Sequence, residues 1–570
     1  MKEFGLLTGI LFLIGVLNNI SIPETPDVKL FNENRFVYCA PSFDPATLND
    51  DKAPLLKGLG EIKYPITTNS EMAQKYFNQG LALTYGFNHG EAARSFKTAI
   101  RLDSSCAMAY WGLAMVLGPN YNAALNPTGL PDINEAIGQA LKYSASTEAN
   151  EKALINAIAK RFPKEEVKDQ TPYYESYAYA MKEAHQQFPE DIDIATLYAD
   201  AMMNLHPWNL WLKDGSPQPW TPEIISLLEK ILVKSPKHPG AIHYYIHAME
   251  ASKFASRALP YADRLGDAMP AAGHLVHMPS HIYIRTGDYH KAVIANEKAS
   301  EADSIYIAQC KVQGVYPMMY YPHNIHFLAA AAFFEGNSKK AIDAAWMVSR
   351  KADKRYLAEN VTVQHFYIIP FYLMVHMGKW DDILNLYQPG ESLKYPVAIW
   401  HYSRGLAFAA KGNLKAAENE LSALKVISTD ESLKSMLIWD MNSAQDLVKI
   451  AVYVLEGELN AYKKNYNEAI GLFDQAISIE DKLMYTEPPD WFFSVRHTLG
   501  HWLVKSQQYT EAEKIYMEDL AIYPENSWAL IGLYNSLKGQ GKTKEAAIVK
   551  KRFDKASKYA DIIMSSSRMY

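Results

Sequence analysis

An alanine that follows a short turn recurs along this chain at intervals suited to a stack of helix pairs. Ala92, Ala258, Ala292, Ala341, Ala417, Ala469, Ala512 and Ala546 hold that place, and the steps from Ala258 to Ala292 and from Ala512 to Ala546 are each 34 residues. Twelve residues before the anchor a small side chain recurs as Gly80, Ser280, Ala329, Gly405, Gly457 and Gly500; Ile246 and Tyr534 break the rule. Five residues before it Gly287, Gly336, Gly412 and Gly541 mark the turn, and three before it come Tyr289, Tyr466 and Tyr509. Pro270 and Pro524 stand twelve residues after their anchors, where a second helix should stop. A small residue on one helix and an alanine on the next let two antiparallel helices approach closely, and glycine supplies the left-handed cap of a tight turn. Each pair then stacks on its neighbours and extends one core.

Segments such as SHIYIRTGDYHKAVIANEKASEADS (280–304) and residues 500–524 resemble the tetratricopeptide repeat. The resemblance spans residues 69–560, with interruptions near 119–135, 162–172, 206–222 and 305–322. It implies an all-α fold, an α-α superhelix or tetratricopeptide-type solenoid, with the first helix of each pair lining a concave groove where ligands bind. At 570 residues the chain is too long for one compact domain, and an elongated array accounts for that length.

The first residues stand apart. Phe4 to Leu17 carry no charge, Lys2 precedes them and Asn18 and Asn19 end the run. That is too short to span a bilayer but suits a signal-peptide core. The sequence therefore reads as a signal peptide at 1–21, an extension at 22–68, the repeat array at 69–560 and a tail at 561–570. The expectation is an exported protein, periplasmic or secreted after signal removal, without stable membrane insertion. A net charge of −6 with thinly spread Lys and Arg argues against a nucleic-acid partner. Cys39, Cys106 and Cys310 form no CxxC pair, so neither disulfide stapling nor thiolate metal binding is signalled.

The chain has 17 His, and eight of them lie between His243 and His326, where even spreading would leave roughly 2.5. His243, His247 and Glu250 are spaced i, i+4, i+7; His274, His277 and His281 are spaced i, i+3, i+7; His323 and His326 are spaced i, i+3. Each group forms one stripe of a helix. Counted from their anchors, His274 and His323 share one place, His243, His277 and His326 a second, and His247 and His281 a third. Three consecutive first helices thus carry imidazoles at equivalent positions, which the resemblance puts on the concave face. These eight residues are candidate ligands for a transition metal (copper, iron or zinc), mononuclear or dinuclear.

A second set comprises His497, His501, Arg496 and Trp491 near the C-terminus, together with His206 in a Trp- and Pro-rich loop (HPWNLWLKDGSPQPW) after Asp200 and Asn204. These are candidate groove or substrate contacts. No phosphate-cradling glycine loop and no GxSxG occurs, and HYYIHAME lacks the acidic residue of an HExxH helix. Two functions remain open at this stage. One is metal binding in the groove, with catalysis undecided and a small molecule as a further partner; the other is a scaffold that binds peptides there. A metal store or metal-delivery protein is a third reading, and Met278, Met318 and Met319 would suit soft copper if they reach the groove.

Overall fold

The computed structural model describes residues 52–310 and 316–569; the expected signal peptide, most of the expected extension and Cys39 lie outside the described residues. Helix pairs follow one another as the anchors require. They begin with Glu71–Tyr85 and His89–Leu102, Ala107–Leu117 and Leu130–Tyr143, and Ala149–Ile158 and Thr171–Gln187. Ile192–Leu205 and Thr221–Lys234, then Pro239–Met249 and Leu259–Ala268, lead into the histidine-rich segment. Gly273–His277 and Pro279–Thr286 form one interrupted first helix, paired with Tyr289–Cys310, and Tyr321–Phe334 pairs with Ser338–Lys351. Val361–His376 with the short Trp380–Leu384, Lys394–Ala410 with Leu414–Ser428, and Ala444–Tyr462 with Tyr466–Glu480 come next. Val495–Lys505 with Tyr509–Ile522 and Ser527–Gly539 with Thr543–Ala556 complete the array. The described sheet is a two-residue hairpin, Leu437–Ile438 with Asn442–Ser443. Among the described residues no helix is long and apolar enough to cross a membrane.

The packing shows why the small positions recur. A Cβ added at Gly80 would stand 2.6 Å from the Phe96 ring, and one at Gly112, on the next pair, 2.4 Å from the same ring. The same ring-between-glycines arrangement joins Gly500, Tyr516 and Gly532. In these two pairs the second helix therefore wedges an aromatic ring between its own first helix and the next, and only a hydrogen leaves room for it. The anchor alanines are buried throughout. Except at Lys253, the turn position five residues before the anchor is left-handed whether or not it is glycine: Gly287 and Gly336 have φ +82, and Phe87, Lys464 and Gln507 have φ +55, +66 and +62.

One segment departs from the expected interruptions. The helix Tyr289–Cys310 continues well past the point where a second helix should stop, and a π-helical turn, Tyr316–Tyr320, leads into the next pair. Asp303 explains the extension. It is fully buried and accepts hydrogen bonds from Tyr316 Oη at 2.7 Å and Asn324 Nδ2 at 2.6 Å, so the extra turns are tied to the helix that carries His323.

The superhelix closes on itself. Trp528 Nε1 donates to Phe333 O at 2.8 Å, Tyr289 Oη to Pro524 O at 2.9 Å and Arg285 Nη1 to Ile522 O at 3.1 Å, which brings the last pairs against the histidine-bearing ones. The expected tail is part of this closure. Asp561 caps the helix Ser338–Lys351 through Ser338 N and Lys339 N, Ser567 Oγ donates to His497 O, and Arg568 forms a buried ion pair with Glu458.

Candidate metal centre

The helix Pro239–Met249 carries His243 and His247, the interrupted helix carries His274, His277 and His281, and Tyr321–Phe334 carries His323 and His326. Pro279 removes one backbone donor, yet Met278 stays right-handed helical, so the stripe survives the interruption. His243, His247, His274, His277 and His281 are each 2% exposed or less, and His323 is half-buried.

The imidazoles converge as two adjacent sets. One ring nitrogen from each of His243, His247 and His274 lies within 4.8 Å of the other two, and the same holds for His277, His281 and His323. Within the sets Nε2 of His243 lies 3.1 Å from Nε2 of His274, and Nε2 of His277 lies 2.9 Å from Nε2 of His281. Two imidazoles on one zinc-like cation, with bonds of about 2.0–2.1 Å, would be separated by roughly 2.9–3.4 Å depending on the angle. The rings of His274 and His277, and those of His247 and His281, have centroids 6.0 Å apart, so the two sets are neighbours.

Several of the opposite nitrogens are held by acceptors, whereas Nδ1 of His274 and of His323 have no hydrogen-bond partner. Nδ1 of His243 donates to the Tyr85 carbonyl at 2.7 Å, and Nδ1 of His277 donates to Asn296 Oδ1 at 2.6 Å. Asn296 is oriented by its own bond to Ala292 O. Nδ1 of His247 lies 2.9 Å from Glu250 Oε1, leaving its Nε2 buried without a hydrogen-bond partner. These acceptors select the Nδ1–H tautomer and aim the Nε2 lone pairs inward, the arrangement that metal-ligating histidines adopt.

Burial lowers the pKa of His243, His274, His277 and His323 well below the ordinary imidazole range, and neighbouring imidazoles add to the effect. These rings are neutral at neutral pH. His281 is the exception. Burial pushes it down, but Glu250 and Glu487 outweigh that and raise it to about 9. Its Nδ1 stands 2.6 Å from Glu250 Oε2 and 3.0 Å from Glu487 Oε2. Glu250 therefore does not join the Nε2 nitrogens of either set, as its helical stripe had led us to expect. It spans the sets from outside, one oxygen on His247 and the other on His281. Glu250, His281 and Glu487 also lie close enough together to form a third ligand group, through the far side of the His281 ring.

His326 stands apart from both sets. It stacks on Phe492 at 5.2 Å and packs against His365 at 5.7 Å, without a hydrogen-bond partner at either nitrogen. The C-terminal candidates are committed elsewhere: His497 pairs with Asp519, His501 Nδ1 contacts Ser566 Oγ at 2.6 Å, and Arg496 holds Asp481 with two bonds. Trp491 packs edge-on against Tyr372 and Tyr402. His206 stacks on Trp220 at 3.6 Å within the loop that follows it. Of the methionines considered for copper, Met319 reaches the site. A cavity of about 50 Å³ lies between the sets, lined by His247, His274, His281 and His323 and by Trp208, Met319, Tyr320, Trp439, Met441 and Tyr485.

Sequence reasoning missed Tyr85, Glu487 and Asn296. The first two come from distant parts of the chain and leave no local signal. Asn296 did leave one. It stands four residues after its anchor, where Phe96, Phe473 and Tyr516 stand after theirs, and a buried amide in an apolar wedge position invites the question of what it binds.

No family model and no curated protein matches the chain. Among solved structures, a human IFIT1 dimer with m7Gppp-AAAA is 14% identical over 86% of this chain and 91% of that one, with a TM-score of 0.31. Cut9 in an APC/C hetero-tetramer with Hcn1 is 13% identical over 86% of this chain and 74% of that one, with a TM-score of 0.28. Superpositions this loose carry no argument about function, and the repeat assignment rests on the chain's own helix pairing. The chain is an all-α superhelix of tetratricopeptide-type helix pairs with two histidine sets buried at its centre.

Proposed function

We propose that this is an exported metalloprotein holding two transition-metal ions side by side, one at His243, His247 and His274 and one at His277, His281 and His323. One observation carries the reading: ring nitrogens of each set converge within 4.8 Å while Tyr85 O, Glu250 and Asn296 hold the opposite nitrogens. A hydrogen bond between facing Nε2 atoms satisfies His243 with His274 and His277 with His281, but it leaves Nε2 of His247 buried without a partner, a cost that a bound cation would remove. All-imidazole donor sets suit zinc, copper and iron, and three protein ligands leave positions open toward the cavity. Ions held there would supply Lewis acidity or redox chemistry, and catalysis on a small molecule is the function those open positions support.

The test is elemental analysis of the purified chain. Two equivalents of transition metal are expected, with loss of both in the His243→Ala/His277→Ala variant and unchanged helical circular dichroism. A metal-free, folded protein with no affinity for zinc, copper or iron would falsify the reading. Export is tested separately by fractionating cells and sequencing the mature N-terminus, which should begin near residue 22.

A second reading, a peptide-binding scaffold, has one observation in its favour. Residues 565–569 of the chain itself already lie across several pairs, through Asn535, His497 and His376. Binding of unrelated extended peptides by metal-depleted protein would support it.

A further inference from the structure

We infer that the cavity between the two histidine sets takes an exogenous ligand of two or three heavy atoms, of the size class of dioxygen or azide, and that Trp208 and Trp439 set this limit. The inference rests on the metal reading above and adds the class of ligand that the open positions admit. A cavity needs about 10–15 Å³ of such volume to hold one water, and about 150 Å³ suffices for benzene. At about 50 Å³ this one holds a few atoms and excludes an aromatic ring. Indole, phenol and thioether groups make up most of its wall beside the imidazoles, with Asn122, Thr486 and Glu487 adding a few polar atoms, which favours a small guest over a larger polar metabolite.

The two tryptophans come from separate loops and approach opposite sets. Trp208 packs edge-on against His247 with centroids 5.7 Å apart, and Trp439 packs edge-on against His323 at 5.8 Å. Both lie in left-handed backbone, at φ +58 and +52, which is unfavourable for so bulky a residue. Each reverses the chain where it stands: Trp208 is the third residue of the His206–Asn209 turn, closed by Asn209 N donating to His206 O at 3.1 Å, and Trp439, with Asp440 at φ +53, forms the hairpin turn between Leu437–Ile438 and Asn442–Ser443. Each loop is pinned beside its tryptophan to a first helix: Trp211 Nε1 donates to Ala248 O at 2.7 Å, and Trp439 N donates to Thr362 Oγ1 at 2.9 Å. Both turns are thus held in place from outside, and they set a pair of indoles against one small space.

The test uses the full chain loaded with cobalt(II), whose visible absorption reports a change of ligand. Azide is titrated against 4-methylimidazole, with bound cobalt counted by elemental analysis. Azide is expected to saturate the spectral change, and 4-methylimidazole to bind about tenfold more weakly or not at all. Trp208→Ala and Trp439→Ala should each narrow that preference several-fold while cobalt stoichiometry is retained; Trp208→Phe, which keeps a ring, should narrow it least. If either alanine variant fails to fold, the other loop gives the same readout. Cobalt bound with equal access for both probes in the unaltered chain overturns the size limit alone, and so does an unchanged preference in both alanine variants. Absence of bound cobalt overturns the metal reading and this inference together.

Discussion

The carboxylate of Glu250 stands 2.6 Å from Nδ1 of His281, and its other oxygen lies 2.9 Å from Nδ1 of His247 on the same helix. One side chain thus orients a candidate ligand in each of the two sets. Glu250→Gln keeps the shape but removes the charge and one acceptor. Both sets should lose metal affinity, each by roughly 10–100-fold, the usual cost of losing such a partner. Competition titration with a chromophoric chelator measures this. Loss at one set only would mean that Glu250 serves one ligand.

Asn296 touches a single ligand, His277, at 2.6 Å. Asn296→Leu should weaken the His277, His281, His323 set by about tenfold and leave the other set unchanged. The same titration then resolves two unequal steps where the parent chain shows two similar ones.

Gly273 begins the helix that carries His274, and a Cβ there would lie 1.8 Å from Asp303 Oδ1 and 3.0 Å from Ala299 O. Backbone blocks one side and a hydrogen-bonded carboxylate the other, so neither gives way cheaply. Gly273→Ala is expected to destabilise the chain by about 2–3 kcal/mol, read as a lower midpoint in denaturant.

Asp303 also links stability to pH. Burial raises its carboxyl pKa from 3.8 to about 7, so the folded chain keeps a proton that the unfolded chain releases. The folded state therefore binds more protons between those values, and this residue's contribution to stability falls as pH rises from about 4 to 7. Asp303→Asn should flatten that part of the stability profile, measured by denaturant unfolding at several pH values. An unchanged slope would show that Asp303 is not its source.

Arg568 reaches from the tail to the fully buried Glu458. Arg568→Met leaves that carboxylate buried without its partner, at a cost of about 3–5 kcal/mol, and adding Glu458→Gln should recover much of it. Thermal unfolding of the single and double variants checks both steps.

Much of this was legible from residue spacing. Ala292 and Gly287 mark a helix pair because close helix contact and a left-handed turn admit few other residues. His274, His277 and His281 lie on one stripe because helical geometry puts them there. Local periodicity says which face a residue occupies, and that is why six of the converging imidazoles were readable. His326 shares its register position with His243 and His277 yet packs on Phe492, while Glu250, on the stripe of His247, meets His247 and His281 at Nδ1 and groups with Glu487.

The sequence by itself determined the helix pairs, their small contact positions and the histidine stripes, since each depends on forces acting within a turn or two of helix. Only the tertiary structure decided that the stripes divide into two sets, that Tyr85 O and Glu487 come to meet them, and that Trp208 and Trp439 line the space between. Those contacts join residues as far apart as Tyr85 and His243 or His281 and Glu487. They depend on how many pairs complete one superhelical turn, a quantity set by the sum of many small packing angles and written at no single position.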